Sequence, residues 1–220
     1  MAKVAVVTGG AGALGRAVCA WFDRAGYSVF LNGISESERE NYRGPGQLDI
    51  VDLSIEDQCR KWAATLPERV HAAALIAGGF SMKPIVELDS LEIEKMMAMN
   101  LLSAALTLSA LTPKLTAADG ASVVMVGSQA YTGAPGMAAY AAAKAAVVSL
   151  AASASIELKK HRVRVNSILP DVIDTPANRA AMPGANFDEW QKPEEIAEVI
   201  GFLCSDSARV ITGNALRLGR

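Results

Sequence analysis

The sequence is poor in cysteine, and this scarcity excludes a disulfide-stapled fold. Only Cys19, Cys59 and Cys204 are present in 220 residues. They form no Cys-x-x-Cys pair and no even-numbered framework of the kind seen in small secreted proteins. We therefore expect three buried thiols in a reducing cytoplasm and no metal centre.

The sequence also lacks an excess of basic charge and a long apolar run. Its 21 Lys and Arg residues against 23 Asp and Glu residues give a net charge of −2, so nucleic acid is not an expected partner. The N-terminus lacks the apolar segment of a signal peptide. The most apolar stretch, Ala138 to Ala154, is interrupted by polar residues and does not reach the ~20 residues of a membrane span. We expect a cytoplasmic protein without a membrane partner.

Apolar residues, by contrast, are abundant: they make up 51% of the chain, in short runs that alternate with longer segments. The short runs predict strands covered on both faces, namely Val4–Val7, Ser28–Leu31, Leu48–Val51, Ala73–Ile76, Ser122–Val126 and Val163–Ile168. The longer segments predict helices at Leu14–Ala25, Ile55–Leu66, Leu91–Leu111 and Met137–Lys160. This alternation predicts a single α/β domain over residues 1–220, a Rossmann fold with a doubly wound parallel sheet. Residues 171–192, called the substrate loop below, are irregular and are expected to shape the substrate pocket.

The first predicted strand runs into a glycine-rich turn followed by a helix. The residues of this turn are Thr8, Gly9, Gly10, Gly12, Ala13, Leu14 and Gly15. Such a turn lets the backbone approach a pyrophosphate, while the helix N-terminus supplies N–H groups and a positive dipole. A purely structural turn is the alternative, but the position directly after the first strand favours dinucleotide binding.

The end of the second strand bears on which dinucleotide is bound. An acidic residue at this point holds the ribose 2′-hydroxyl of NAD and repels the 2′-phosphate of NADP. Here Asn32 and Gly33 occupy the strand end, and no carboxylate follows until Glu36. Ser35 and Arg39 are near enough to receive a phosphate. The sequence therefore favours NADP(H), and NAD(H) stays open.

Two further strand ends offer cofactor contacts. Asp52 and Leu53 follow the third strand, where the Asp52 carboxylate can accept a hydrogen bond from an adenine amino group; a solvated loop carboxylate is an almost equal alternative. Ala77, Gly78 and Gly79 follow the fourth strand. Their small size leaves room for a cofactor to lie against the backbone.

Tyr140 and Lys144 lie one helical turn apart in an alanine-rich segment, so they share one face of the helix. A phenol titrates near ~10, and proton transfer near neutral pH requires a downward shift of about three units, roughly 4 kcal/mol. We expect the Lys144 ammonium, with an oxidised nicotinamide nearby, to lower the pKa of Tyr140. Lys144 can also hold the nicotinamide ribose, so both residues are candidate cofactor contacts as well as catalytic residues. A surface tyrosine stacked on a lysine stem is the alternative.

Two polar residues are candidate partners of this pair. Ser128 follows the fifth strand at a carboxyl end, where open α/β sheets bind ligands, and its hydroxyl can orient a substrate oxygen; an ordinary turn serine is the alternative. Asn100 lies in an apolar helical segment, where a buried amide must find partners. Either the helix breaks there and holds a water on the way to Lys144, or the amide is satisfied within the core.

These residues resemble the short-chain dehydrogenase/reductase family along nearly the whole chain. The family's TGxxxGxG turn is similar to Thr8–Gly15, and its Asn-Ser-Tyr-Lys tetrad is matched by Asn100, Ser128, Tyr140 and Lys144. The resemblance implies that these four residues act as proton-relay support, substrate orienter, proton donor and ribose anchor, in that order. It also implies cofactor contacts from Pro170, Ile173 and Thr175, a last helix and strand near the C-terminus, and a homotetramer or smaller homo-oligomer.

The chain departs from the family pattern in three places. Ala13 replaces the middle glycine of the turn, and Leu75-Ile76 replaces two asparagines that brace the sheet edge. The spacing from serine to tyrosine is one residue shorter, so Gly127 falls on the serine position in an ungapped match. Ser128 is kept as the candidate because GSQAY is similar to the family's loop with one deletion.

A narrower resemblance, strongest in the 174–190 segment, is to dihydropteridine reductases within the family. The main prediction is an NAD(P)-dependent enzyme that transfers hydride between a nicotinamide cofactor and a small carbonyl or alcohol substrate, with Tyr140 as general acid/base. Quinonoid dihydropteridine reduction is the alternative among enzymes. A cofactor-binding sensor or scaffold without turnover is the alternative from another class.

Overall fold

The computed structural model describes residues 2–219, so Met1 and Arg220, the ends of the predicted 1–220 domain, lie outside the described residues. Within these residues the chain forms one sheet of seven parallel strands in the order β3-β2-β1-β4-β5-β6-β7. The strands are β1 Val4–Thr8, β2 Ser28–Gly33, β3 Gln47–Ile50, β4 Ala72–Leu75, β5 Ser122–Val126, β6 Arg164–Leu169 and β7 Ala215–Arg217. The predicted doubly wound parallel sheet is confirmed, and the six predicted strands agree with β1 to β6 within one or two residues.

Eight α-helices connect or flank the strands in the described part of the chain. They are α1 Ala13–Arg24, α2 Glu36–Asn41, α3 Glu56–Thr65, α4 Ser90–Met96, α5 Ser103–Thr116, α6 Ala138–Glu157, α7 Pro176–Ala181 and α8 Pro193–Cys204. The helix predicted over Leu91–Leu111 is divided into α4 and α5 by a π-helical turn, Met97–Leu102. The substrate loop contains the short helix α7 and is less irregular than expected.

Two apolar layers cover the two faces of the sheet, as the alternation of side chains along a strand requires. In β1, Val4 and Val6 belong to the layer formed with α3, α5 and α6. Ala5 and Val7 belong to the opposite layer, which contains the buried faces of α1 and α8. Covering on both faces explains why the strands are apolar at nearly every position.

Two helical segments are longer and more apolar than the sequence reading allowed. Ser90–Thr116 and Ala138–His161 have the length and composition of membrane-crossing helices. In the structure Leu108 and Leu111 of α5 and Val147 of α6 are packed in the core against the sheet. Core helices of globular folds pass the same test, so this property by itself is weak evidence for a membrane partner.

The strand order reverses between β1 and β4, and this point positions the candidate site. β2 and β3 lie on one side of it and β5 to β7 on the other. The connections that leave β1 and β4 therefore diverge, opening a crevice at the carboxyl ends of the strands, where doubly wound sheets bind ligands. The Thr8 hydroxyl at the end of β1 accepts hydrogen bonds from the backbone N–H groups of Ile76 and Ala77, at 2.8 and 3.0 Å. The Thr8 side chain thus ties the end of β1 to the segment after β4, close to Leu75-Ile76, which replace the two asparagines of the family pattern.

Candidate active site

The glycine-rich turn after β1 needs glycine at three positions for the fold itself. Gly9 has a φ of +64°. A Cβ on Gly10 would lie 2.5 Å from the Leu31 Cβ, and one on Gly15 would lie 2.2 Å from the Gly9 carbonyl oxygen. These glycines let α1 approach the sheet closely and begin directly above the end of β1.

Gly12 differs from these three, because its surroundings leave space above the turn. The nearest atom to an added Cβ is the Gly9 carbonyl oxygen at 3.4 Å, and the residue is exposed. Gly12 is the N-cap of α1, where no side chain caps the helix and no acidic residue occupies the first turn. An exposed and uncapped helix N-terminus beside bare backbone fits the pyrophosphate of a dinucleotide.

The side chain of Asn32, a predicted cofactor contact, holds the turn in place. Its Oδ1 accepts from the Gly9 backbone N–H at 2.9 Å, and its Nδ2 donates to the Val51 carbonyl at 3.0 Å. The amide is buried, and its oxygen and nitrogen are both hydrogen-bonded to the backbone, one at Gly9 and the other at Val51. Its contribution to a cofactor site is therefore to fix the shape of the turn.

The groups proposed to receive a 2′-phosphate already have other partners. The Ser35 hydroxyl is the N-cap of α2 and accepts from a backbone N–H in that helix. Arg39 Nη1 donates to both carboxylate oxygens of Glu36, at 3.0 and 2.9 Å.

The residues after β3 are similarly engaged within their own loop. Asp52 Oδ1 accepts from the backbone N–H and the hydroxyl of Ser54, at 2.9 and 2.6 Å, and Leu53 is buried in the core. These contacts favour the alternative reading of Asp52 as a loop carboxylate without a cofactor contact.

The Ala77-Gly78-Gly79 segment runs beside two of the tetrad residues. A Cβ on Gly78 would lie 2.6 Å from Asn100 Oδ1 and 3.3 Å from Lys144 Nζ, and one on Gly79 would lie 2.2 Å from Met99 Cε. Glycine at position 78 therefore lets the β4 connection lie against Asn100 and Lys144, while the contact at position 79 is with the end of a flexible side chain.

Asn100 is in the middle of the π-helical turn and 1% exposed. Its Nδ2 donates to the carbonyls of Met96 and Gly79, both at 3.0 Å, and its Oδ1 accepts from the Gly79 backbone N–H at 3.3 Å. Both sequence alternatives thus hold in part: the α-helix is interrupted, and the amide is satisfied by backbone. π-Turns of this kind often mark functional sites.

Tyr140 and Lys144 share one face of α6, as predicted, with Lys144 Nζ 5.7 Å from the centroid of the Tyr140 ring. Lys144 is 5% exposed and donates to the Val126 carbonyl at 2.9 Å. Burial lowers the pKa of Lys144 to about 8.

The pKa of Tyr140 shifts in the direction opposite to the one expected. Burial raises it, and a hydrogen bond with Ser128 offsets part of the rise. The Lys144 ammonium, whose own pKa is lowered by burial, does not offset this rise. In the protein alone Tyr140 is therefore a neutral phenol at physiological pH, the form that donates a proton.

The hydrogen bond between Ser128 and Tyr140 bears on the choice of serine position. Ser128 begins the 3-10 turn Gln129–Thr132 and also accepts from the Ala130 backbone N–H at 3.2 Å. A Cβ on Gly127 would lie 2.6 Å from Leu169 Cδ2, so a side chain at that position would run into the core. Residue 128 is therefore the position from which a hydroxyl reaches Tyr140.

Phe80 is a site residue that the sequence reading missed. Its ring meets the Tyr140 ring edge-on, with centroids 5.0 Å apart and an interplanar angle of 85°. It is 54% exposed, so it forms a wall of the site open to solvent on one side. No residue pattern singles it out, because its role depends on where the β4 connection crosses α6.

The substrate loop is held by an ion-pair cluster that the sequence did not reveal. Asp174 accepts from Arg179 at 2.5 and 2.8 Å and from Lys192. Arg179 also stacks on the Phe187 ring, 4.6 Å from its centroid. Arg179 is thus a structural residue of the loop, and the two cations hold the pKa of Asp174 well below its usual range.

The three loop residues carried over from the family resemblance lie at the start of this segment. The Pro170 carbonyl accepts from the Gln129 backbone N–H at 2.9 Å, and the Ile173 carbonyl accepts from Asn178 Nδ2 at 2.8 Å. The Thr175 hydroxyl caps α7. Among residues 2–219 no cluster of His, Cys, Asp and Glu could hold a metal ion.

Comparison with known proteins identifies the chain and its fold with one family. The sequence profile described as enoyl-(acyl carrier protein) reductase matches residues 9–218. A cyclopentanol dehydrogenase of a Comamonas species is 28% identical over 97% of this chain and 94% of its own length. An NAD-dependent glycerol dehydrogenase of Listeria innocua is 30% identical over 97% of this chain and 91% of its own length.

Solved structures agree with this result. A short-chain dehydrogenase/reductase from Mycobacterium ulcerans superposes with a TM-score of 0.91 at 26% identity, covering 98% of this chain and 88% of the other. An oxidoreductase of the same family from Burkholderia thailandensis gives 0.88 at 27% identity, covering 99% and 91%. The chain therefore belongs to the short-chain dehydrogenase/reductase family, whose members are oxidoreductases that use a nicotinamide cofactor and act on alcohol and carbonyl groups.

Proposed function

We propose that the chain catalyses reversible hydride transfer between a nicotinamide cofactor and a small carbonyl or alcohol substrate, with Tyr140 as the proton donor. The observation that carries this proposal is the contact set of the Tyr140 phenol. It is kept neutral by burial, bonded to Ser128 and flanked by Lys144, at the crevice of the sheet.

Tyr140 and Ser128 account for the proton and the hydrogen bond that a reduction requires. A nicotinamide cofactor, when bound at this crevice, would supply the hydride for such a reduction. The Tyr140 hydroxyl gives its proton to the carbonyl oxygen. The carbonyl group thus gains one hydride and one proton and becomes the alcohol. The Ser128 hydroxyl, a neighbour of the phenol, turns its proton to the same oxygen and orients it. In oxidation the phenol takes the proton back.

Lys144 and Asn100, which both lie next to Gly78, support the proton transfer by Tyr140. Because the pKa of Lys144 is lowered to about 8, its amine can exchange a proton near neutral pH and return one towards the tyrosine. Its place beneath the glycine backbone also suits hydrogen bonds to the ribose of a bound cofactor. Asn100 positions this arrangement, since its amide ties the π-turn to the Gly79 backbone.

Exposed apolar side chains near Tyr140 favour a substrate with an apolar face. Phe80 packs edge-on against the Tyr140 ring, and Met82, two residues further along, lies against Gly136 in the segment that precedes α6. Both present large apolar surfaces to solvent that a substrate can cover.

Turnover with purified protein tests the proposal. NADH and NADPH are each supplied with a panel of small ketones, aldehydes and quinonoid dihydropteridine. NAD and NADP are supplied with cyclopentanol and glycerol, the alcohols in the names of the two relatives. We expect oxidation or reduction of the nicotinamide with at least one member of the panel. Cofactor binding without turnover across the panel would contradict the proposal and favour a sensor.

Exposed apolar residues bear on the assembly of the chain, and its cysteines bear on its location. Exposed apolar side chains on α4, the π-turn and α6, among them Leu91, Leu102 and Ile156, favour a homo-oligomer, for which a tetramer is our proposal. The three cysteines are free and buried, which suits the cytoplasm. Light scattering that gives the mass of a monomer would contradict the assembly.

A further inference from the structure

The side chain of Glu38 folds back onto the end of β2. Its Oε2 accepts from the Ile34 backbone N–H at 2.6 Å and, more weakly, from the Ser35 N–H at 3.4 Å. Glu38 is the third residue of α2, and its own N–H is bonded to the Ser35 hydroxyl, which completes a capping box. The carboxylate is therefore fixed at the strand end, with one oxygen, Oε2, taken up by the backbone.

This position coincides with the space that an acidic residue on Gly33 would fill. A Cβ built on Gly33 would lie 2.7 Å from Glu38 Oε2. In dinucleotide-binding sheets the acid at the end of the second strand accepts a hydrogen bond from the adenosine ribose. Glu38 brings a carboxylate to that strand end from the following helix, although residue 33 itself has no side chain.

The charges around this carboxylate disfavour an additional phosphate. Glu36 and Glu38 lie together in the short helix α2. The guanidinium of Arg39 is paired with Glu36, and the Ser35 hydroxyl is used as the helix cap. A 2′-phosphate at this strand end would meet a half-buried carboxylate at close range, and like charges repel strongly where water is partly excluded.

We propose that Glu38 selects NAD(H) against NADP(H), with its carboxylate accepting from the ribose 2′-hydroxyl. This preference is opposite to the one predicted from the sequence, which took the strand end to lack a carboxylate. The inference rests on the proposed function only in requiring that the chain binds a nicotinamide dinucleotide.

The substitution Glu38→Gln separates this role from helix capping. Glutamine at the same position also closes a capping box, but it carries no charge. Glu40→Gln is the matched control, because it removes one exposed glutamate charge two residues further along α2, on another side of the helix.

The experiment measures the Kd of NADH and of NADPH by fluorescence titration for the wild type and both variants. Each variant is used for both cofactors, so any unfolded fraction cancels in the ratio of the two Kd values. We expect the wild type to bind NADH more tightly by about tenfold or more, the discrimination given by one charged hydrogen bond. Glu38→Gln should reduce this ratio by about tenfold, and Glu40→Gln should leave it unchanged.

Three results would overturn the inference. Equal or tighter binding of NADPH by the wild type refutes it, and so does an equal ratio in the two variants; in both cases the proposed hydride-transfer function survives. Binding of neither cofactor by the wild type removes the proposed function as well, so the two failures are distinguishable.

Discussion

Replacing Lys144 by methionine is expected to stabilise the fold while it removes a group from the site. Methionine has a similar length and no charge. In the wild type the Lys144 amine is buried, and its hydrogen bond in the structure is to the Val126 carbonyl. Burial lowers its pKa from 10.5 to about 8.

The size of the effect follows from this shift. At 1.36 kcal/mol per unit, a charged Lys144 at pH 7 costs the folded state roughly 3 kcal/mol. The variant leaves the Val126 carbonyl without its partner, which costs about 1 kcal/mol. We therefore expect Lys144→Met to raise the free energy of unfolding at pH 7 by about 2 kcal/mol, net of these two effects.

The pH dependence gives the assay its internal check. Because the folded pKa lies below the unfolded value, the cost of the charge is present below pH 8 and disappears as the pH rises from about 8 through 10.5. The advantage of Lys144→Met should therefore shrink over this interval in urea titrations. Lys160→Met, at an exposed position, is the control and should show no such trend. A variant less stable than the wild type at pH 7, or a difference that is independent of pH, would refute the reasoning.

Two further predictions concern the glycine-rich turn and the substrate loop. Gly12→Ala should leave the urea midpoint unchanged and weaken cofactor binding by about tenfold or more, because the methyl group stands over the helix N-terminus. Gly15→Ala should cost about 1–3 kcal/mol of stability, since its Cβ would overlap the Gly9 carbonyl; equal stability of the two variants would contradict this. Asp174→Asn should speed amide hydrogen exchange in the substrate loop at neutral pH, because the lowered pKa keeps the wild-type carboxylate charged until the pH falls well below 3.8. Asp57→Asn, which removes one partner of an exposed ion pair, should leave this exchange unchanged. Unchanged exchange in Asp174→Asn would show that the ion-pair cluster does not hold the loop.

The sheet could be predicted closely because its strands are covered on both faces. Residues Ser122–Val126 are apolar almost throughout and form β5 with the same bounds in the structure. The turn after β1 could be predicted from its closely spaced glycines, one of which, Gly15, packs against the Gly9 backbone within the same turn. These signals are local, and the sequence contains them.

The parts that could not be predicted depend on distant contacts. That Asn100 needs partners was clear, but one of them, Gly79, comes from another connection. The direction of the Tyr140 pKa was wrong because burial depth, which outweighs the lysine, is not readable from spacing. Glu38 is an intermediate case: the Ser-x-x-Glu spacing from Ser35 signals a capping box. Its closeness to the end of β2 still required the structure.

The central claim is that the Tyr140 hydroxyl donates the proton that completes reduction, and Tyr140→Phe tests it most directly. The ring remains to pack against Phe80, so cofactor binding should not change. With a substrate found in the panel, kcat should fall by about a hundredfold or more while the cofactor Kd stays the same. Tyr27→Phe, which removes a hydroxyl on the other side of the sheet, should keep full activity. An undiminished kcat in Tyr140→Phe would contradict the account.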